Sequence, residues 1–127
     1  MAQLQIELFG HIAYHHELSY HDMLNLEESF KLTLQSILDE AGAEFINFEP
    51  QGDILRFQCM FAEPGEARYH DICDKLAEHV TKYLDVRLLF VDKDFEGVYF
   101  YSIARGTWQE AIIAIPPPGY LAETKLV

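Results

Sequence analysis

Basic side chains are scarce in this sequence. Its 127 residues include 9 lysines and arginines against 21 aspartates and glutamates, which gives a formal net charge of −12. A surface of this sign repels phosphate backbones and anionic lipid headgroups, because they carry charge of the same sign. We therefore expect neither nucleic acid nor a membrane surface among the partners of this protein.

Cysteines and long apolar runs are also few. No stretch approaches the ~20 apolar residues that cross a bilayer, and Met1 leads directly into a strand pattern rather than into a signal peptide. Cys59 and Cys73 each lie at an apolar position of a predicted element, where a free thiol behaves as a small hydrophobic group. A disulfide between them has no support in the sequence. These features predict a reduced, cytoplasmic protein.

Signatures of nucleophilic and nucleotide chemistry are absent as well. The sequence contains no G-x-S-x-G motif, no P-loop and no G-x-G-x-x-G motif, and no serine has a recognisable base beside it. Cys73 falls on the apolar side of a predicted helix, where burial should raise its pKa and leave the thiol inert. These absences favour a protein that is not an enzyme.

The composition is that of a folded domain. Half of the residues are hydrophobic and only 24% are charged, which argues against disorder and supplies enough apolar surface for a core. The length suits a single domain of roughly 100–150 residues. We expect one α+β domain over residues 1–115, followed by an extended, proline-rich tail over residues 116–127.

The clearest pattern runs from Asp53 to Val91 and consists of an apolar strand, an amphipathic helix and a second apolar strand. Between Glu66 and Leu84 apolar residues recur at the 3.6-residue period of a helix, with charged residues on the opposite side. The two flanking strands are expected to cover this apolar stripe, which is formed by Tyr69, Ile72, Cys73, Leu76, Val80, Tyr83 and Leu84.

A second helix is expected from Asn25 to Ala41. Asn25 is a favourable N-cap, and Glu28 could complete a capping box with it. Asp22 is a rival N-cap that would start the helix earlier. Gly42 is placed to adopt the left-handed conformation that ends many helices. The polar, aperiodic segment over residues 15–22 predicts a loop before this helix.

Six strands complete the pattern, with alternating apolar and polar residues in the first and a predicted bulge at Gly10 within it. They are expected at residues 4–14, 43–48, 54–61, 86–91, 98–104 and 107–115. The resulting order, βαββαβ followed by a hairpin, resembles the ferredoxin-like fold in topology. It predicts an α+β, two-layer sandwich with both helices on one face of an antiparallel sheet and an added C-terminal β-hairpin.

The central strands carry apolar residues on both of their faces. In a two-layer sandwich the second face of the sheet should be polar. Here Ile54 and Met60 of one strand, with Leu89 and Val91 of the next, would lie on that second face. Since a bare apolar face of this size is rare on monomers, either the hairpin folds across it or a second subunit covers it. We expect a homodimer, with which a hairpin that extends the sheet edge would be compatible.

Four histidines lie close together near the N-terminus, with Glu17 and Asp22 among them: His11, His15, His16 and His21. Neutral imidazole and carboxylate are ligands of zinc, nickel and similar divalent transition metals. The spacing matches no established metal motif, so a solvated loop is the competing interpretation. A histidine that acts as an acid or base is a third interpretation, because its ordinary pKa lies near neutrality.

Aromatic residues are concentrated in the predicted C-terminal hairpin, namely Phe95, Tyr99, Tyr101 and Trp108. Exposed aromatic residues favour a surface that binds a protein or a ligand, and packing in the core is the competing explanation.

Three hypotheses for the function follow. The leading one is a non-enzymatic, acidic binding or regulatory domain that engages a protein partner as a homodimer, through the aromatic hairpin. The second is a metal-binding protein or metal-dependent enzyme that uses the histidine-rich loop over residues 11–22. The third is a small-molecule sensor whose ligand lies at a subunit interface.

Overall fold

The computed structural model describes residues 3–93 and 97–114 of the chain. They form a mixed α/β fold whose elements follow one another as β1 (Ile6–Tyr14), α1 (Tyr20–Glu40), β2 (Glu44–Pro50), β3 (Ile54–Phe61), α2 (Glu66–Ala77), β4 (Leu84–Asp92), β5 (Gly97–Ala104) and β6 (Thr107–Ala114). The predicted tail over residues 116–127 lies outside the described residues.

All six strands belong to one antiparallel sheet with the order β2-β3-β1-β4-β5-β6. Strand β1 is central and pairs with β3 on one side and with β4 on the other. The β5–β6 hairpin continues the sheet beyond β4, so it extends the edge instead of folding across a face. The predicted combination of two helices and six antiparallel strands is confirmed.

Both helices pack on one face of the sheet, because strand alternation places the apolar side chains there. One buried cluster joins α1 and α2 to residues of β1, β3, β4 and β5. Within it Tyr69 of α2 stacks on Phe90 of β4 with ring centroids 4.0 Å apart. Large side chains of this cluster that are 0% exposed include Leu8, Leu34, Leu55, Ile72, Leu88 and Tyr101. Burial of each such side chain stabilises the fold by roughly 1.5–3 kcal/mol.

Gly10 does not form the predicted bulge. It pairs in regular register with Phe57 of β3 and Leu88 of β4. The Phe57 ring lies over the glycine, and a Cβ atom added at residue 10 would come within 1.9 Å of the Phe57 Cε1 atom. The glycine therefore permits a close approach of side chain to backbone at the centre of the sheet.

Helix α1 begins at Tyr20, earlier than the predicted start at Asn25. Its N-cap is Ser19, whose hydroxyl oxygen accepts a hydrogen bond from the backbone amide of Asp22 at 3.1 Å. Because this serine satisfies an amide of the first turn, neither Asn25 nor Asp22 is the cap, and the predicted loop ends before Tyr20. Gly42 adopts the predicted left-handed conformation, with φ of 87°.

Helix α2 ends at Ala77, well before the predicted end at Leu84. Val80 lies in the following loop yet is only 2% exposed, and Leu84 is already part of β4, where it pairs with Tyr14. The loop and the strand bury their apolar residues in the same core as the helix, so the apolar stripe continues past the helix end. Neither helix in the described part of the chain is long and apolar enough to span a bilayer.

The edge strand β2 is irregular. Its register against β3 shifts between Glu44 and Asn47, which indicates a bulge. Phe45 within it has φ of 57°, a left-handed conformation that is unusual for an aromatic residue, and it is 74% exposed. Bulges on edge strands interrupt the row of unpaired backbone groups and so disfavour the addition of another strand.

Replacement of Gly10 by alanine should destabilise the protein, because its methyl group would overlap the Phe57 ring. Overpacking of a core costs about 1–3 kcal/mol in the free energy of unfolding, which equilibrium urea unfolding measures. The variant Phe57→Leu removes the ring, so Gly10→Ala should cost much less in that background. An equal cost in both backgrounds would show that this contact does not explain the glycine.

Candidate functional site

The face of the sheet opposite the helices, here called the open face, is not covered by any element of the described chain. The predicted second-face residues lie on it: Ile54, Met60 and Leu89 are half-buried, and Val91 is 8% exposed. Phe9 on the same face is 39% exposed, a large fraction for an aromatic residue in a central strand. The predicted apolar second face is therefore present, and the hairpin does not cover it.

A groove of about 460 Å³ lies on the open face. Its apolar part is a row of three side chains, Phe9, Leu89 and Phe100, which are partners in register across β1, β4 and β5. The groove has the size and the largely apolar lining of sites that bind small molecules.

A polar row runs beside the apolar row. His11 of β1 lies in register between Arg56 of β3 and Arg87 of β4, and Glu49 of β2 is the partner of Arg56 on the outer side. All four residues line the groove. Arg87 forms an ion pair with Asp85 at 3.6 Å, whereas Arg56 has no ion pair within residues 3–93 and 97–114. We call Arg56, His11 and Arg87 the cationic row; two arginines this close together are unexpected on a chain with so few basic residues.

The four predicted histidines lie in three separate places in the structure. His15 and His16 remain together, with stacked rings whose centroids are 4.4 Å apart. Their ligand atoms and a carboxylate oxygen of Glu17 all lie within 4.8 Å of one another. His11 instead lines the groove of the open face, and His21 lies on the exposed surface of α1. The loop thus brings together two of the four histidines and one carboxylate.

The aromatic residues of the hairpin pack largely against α2. Tyr101 is 0% exposed, so its side chain has no surface to offer a partner, which agrees with the core-packing explanation. Tyr99 and Trp108 are half-buried against the core and keep an accessible side. The Trp108 indole donates a hydrogen bond to the Asp74 carboxylate at 2.8 Å. Phe95 lies outside the described residues.

A polar cluster that the sequence did not predict joins α2 to the hairpin; we call Glu66, His70, Tyr101 and Glu110 the clamp cluster. His70 Nε2 lies 2.6 Å from a carboxylate oxygen of Glu110, and the Tyr101 hydroxyl donates to the same oxygen at 2.7 Å. The Glu66 carboxylate lies within 4.8 Å of the His70 and Glu110 ligand atoms. Only the spacing of Glu66 and His70 by one helical turn is visible in the sequence, because Glu110 comes from a distant strand.

These contacts shift the pKa values of two groups in the clamp cluster. Hydrogen bonds from His70, and then from Tyr101, hold the pKa of Glu110 below its ordinary value. Burial, followed by the bond to Glu110, raises the pKa of Tyr101. At neutral pH the carboxylate is therefore ionised and the phenol is protonated, which suits a fixed hydrogen-bonded contact between helix and hairpin.

The two cysteines are free thiols in the core. Burial raises the pKa of Cys59 and of Cys73 to about 12. Both thiols are protonated at neutral pH, and since the thiolate is the nucleophilic form, neither is suited to catalysis.

Comparisons with known proteins leave the family of this chain open. No protein-family model matches the sequence, and no curated protein sequence is similar to it. Among solved structures, the chain is similar to the adenylyl cyclase CyaB from P. aeruginosa, with a TM-score of 0.39 and 14% sequence identity over 90% of this chain and 68% of that one. A likeness of this size assigns neither a fold family nor an activity to the chain.

Replacement of Glu110 by glutamine should weaken the clamp cluster and change the pH dependence of stability. Because the pKa of Glu110 is lower in the folded than in the unfolded protein, its ionised form stabilises the fold above the unfolded pKa of about 4.3. This contribution is lost as the pH falls through the lower folded pKa. Glu110→Gln should therefore unfold at lower urea concentration at neutral pH and lose less stability on acidification below about pH 5.

Urea unfolding at a series of pH values measures both effects. Glu28→Gln, at an exposed position within α1, is the matched control and should follow the wild type at every pH. Parallel stability curves for Glu110→Gln and the wild type would contradict the assigned role of Glu110.

Proposed function

We propose that this protein is a non-enzymatic binding or regulatory domain that works as a homodimer and engages a protein partner. One observation carries the proposal: the β5–β6 hairpin continues the sheet, so Phe9, Leu89 and Phe100 form an apolar row on a face that nothing in the described chain covers. Extended apolar surfaces of this kind mark interaction sites on soluble proteins.

A second copy of the chain is the partner that best suits this face. Two sheets can pack face to face at a distance of ~10 Å with their side chains interdigitated. The apolar row would lie at the centre of such an interface, and the same patch of each copy would be buried around a two-fold axis. Association through the β2 edge is less favourable, because the bulge at Phe45 interrupts its backbone groups.

The remaining surface of the proposed dimer would engage the protein partner. The excess of 21 acidic over 9 basic residues gives that surface a negative potential, which attracts a basic protein and accelerates its association. The accessible sides of Tyr99 and Trp108 would add apolar contact area at the hairpin.

We also propose that the first six elements form a ferredoxin-like domain. Two features support this classification: the βαββαβ order of the elements, and the position of both helices over a sheet in which β1 and β3 are adjacent and β4 lies beside β1. The C-terminal hairpin is then an addition at the β4 edge.

Replacement of Leu89 by arginine should convert the dimer to a monomer, because it would place two cations in the apolar centre of the interface. Light scattering on a sizing column measures the mass over a range of loading concentrations. Leu32→Arg is the matched control: Leu32 is 71% exposed on α1, so this variant should keep the dimeric mass. Circular dichroism establishes that both variants are folded.

Two results would contradict the homodimer. One is a wild-type mass of a single chain at every concentration. The other is a dimeric mass for folded Leu89→Arg, which would move the interface away from the open face.

A metal-binding protein is the second candidate, favoured by the convergence of His15, His16 and Glu17. The Glu17 backbone amide donates to His15 Nδ1 at 3.2 Å, and the same nitrogen lies 4.0 Å from the Glu17 carboxylate. Two imidazoles and one carboxylate are a zinc-type ligand set with one position left for water or a further ligand. This arrangement would also suit a metal-dependent enzyme.

Elemental analysis of untagged protein, purified without chelator and dialysed, tests this candidate. It predicts about one divalent transition-metal ion per chain, and loss of that ion in the double variant His15→Ala, His16→Ala. The double variant His11→Ala, His21→Ala is the control and should retain the ion, because neither residue belongs to the convergent group. Wild-type protein free of metal would exclude a tightly bound ion.

A further inference from the structure

We propose that the groove on the open face binds a small organic anion. Arg56 and Arg87 would hold its carboxylate or phosphate group, and the apolar row would receive its hydrophobic body. The inference rests on the proposed function and deepens it, because the groove lies in the face that the second copy would cover. The ligand would then be bound between the two copies.

The placement of charge on the open face is the first observation behind this proposal. His11 of β1 pairs with Arg56 of β3 on one side and with Arg87 of β4 on the other, so one strand lies between the two arginines. Adjacent strands lie about 4.8 Å apart, so the two arginines start from backbone positions roughly 10 Å apart and can reach a common point above β1. An anion held over β1 would therefore have one arginine on each side of it.

The carboxylates near the groove leave room for such an anion. Asp85 pairs with Arg87 from the neighbouring position on β4, where both side chains are about half exposed to water. Glu49 lies on the β2 side of Arg56, and its carboxylate accepts a hydrogen bond from the Asn47 amide at 3.4 Å. Neither carboxylate lies on the strand between the two arginines. The favourable position for an anion is therefore over β1, beside His11.

The chemistry of arginine and the form of the groove define the class of ligand. A guanidinium group binds a carboxylate or phosphate through two parallel hydrogen bonds. The row of Phe9, Leu89 and Phe100 lies two residues along the strands from the cationic row, a distance of about 7 Å. A ligand with an anionic head and a hydrophobic body of that reach would contact both rows within the groove of about 460 Å³.

The charge of the whole chain favours a small anion over an acidic macromolecule. With a net charge of −12, the protein as a whole repels a polyanion, whereas a single anionic group over β1 lies between the two arginines, with the nearest carboxylates, Glu49 and Asp85, on β2 and β4. Repulsion from charges beyond about 8 Å is screened at physiological ionic strength.

Isothermal titration calorimetry with four probes tests the proposal: 1-naphthoate, 1-naphthyl phosphate, the neutral 1-naphthamide and inorganic phosphate. We expect one of the two anionic naphthyl probes to bind at least about tenfold more tightly than the neutral probe. The carboxylate and phosphate probes distinguish the two head groups. Inorganic phosphate should bind more weakly than the naphthyl phosphate, because it lacks a hydrophobic body.

Substitution of the arginines locates the bound anion. Arg56→Gln and Arg87→Gln should each weaken the anionic probe about tenfold or more, since each removes a charged hydrogen-bond donor. Arg105→Gln is the matched control: Arg105 is exposed in the turn between β5 and β6, outside the groove, and its loss should leave the affinity unchanged. Unfolding curves establish that the variants are folded.

Two outcomes would overturn the proposal: no binding of either anionic probe at millimolar concentration, or binding that Arg56→Gln and Arg87→Gln leave unchanged. The solution mass of the same wild-type sample separates this failure from failure of the homodimer. A dimer that binds no probe contradicts the anion site alone. A monomer that binds the probe through both arginines supports the anion site and contradicts the homodimer.

Discussion

Both helices lie on the same face of the six-stranded sheet, and the rest of this structure depends on that arrangement. Strand alternation divides the residues of β1, β3 and β4 between the two faces, and both faces of these strands carry apolar side chains. The face under the helices becomes the core. The other face keeps Phe9 and Leu89 within reach of solvent, and it holds the groove. The proposed functions follow from this division.

The open face remains uncovered because the β5–β6 hairpin continues the sheet beyond β4. The hairpin could cover that face only by leaving the plane of the sheet, and its pairing with β4 prevents this. The clamp cluster adds to the restraint, because Glu110 of β6 and Tyr101 of β5 are both tied to the helix side, where His70 of α2 meets the Glu110 carboxylate. The hydrogen bond from Trp108 of β6 to Asp74 of α2 also holds the hairpin to the helix. Tyr101 and Trp108 therefore hold the hairpin against α2, and no element of the described chain covers the open face.

The sequence predicted those features that depend on local patterns. The alternation of residues within β3 and β4 predicted which side chains lie on each face of the sheet, including the apolar second face. The position of Gly42 predicted the left-handed residue that follows α1. The ends of the helices were less accurate, because Ser19 caps α1 earlier than expected and Val80 continues the apolar stripe beyond α2. The cationic row could not be predicted, since His11, Arg56 and Arg87 come together only through the register of three strands that are far apart in the chain. The clamp cluster was missed for the same reason.

The proposed homodimer requires that a second copy covers the open face. Hydroxyl-radical footprinting of the wild-type protein over a dilution series tests it most directly, because it reports the accessibility of individual side chains. If the dimer forms through this face, Phe9 and Met60 should become protected as the concentration rises. Leu32 and Phe45, which are 71% and 74% exposed elsewhere on the surface, should react equally at all concentrations. Reaction of Phe9 and Met60 that is independent of concentration, in a sample whose mass is that of one chain, would contradict it.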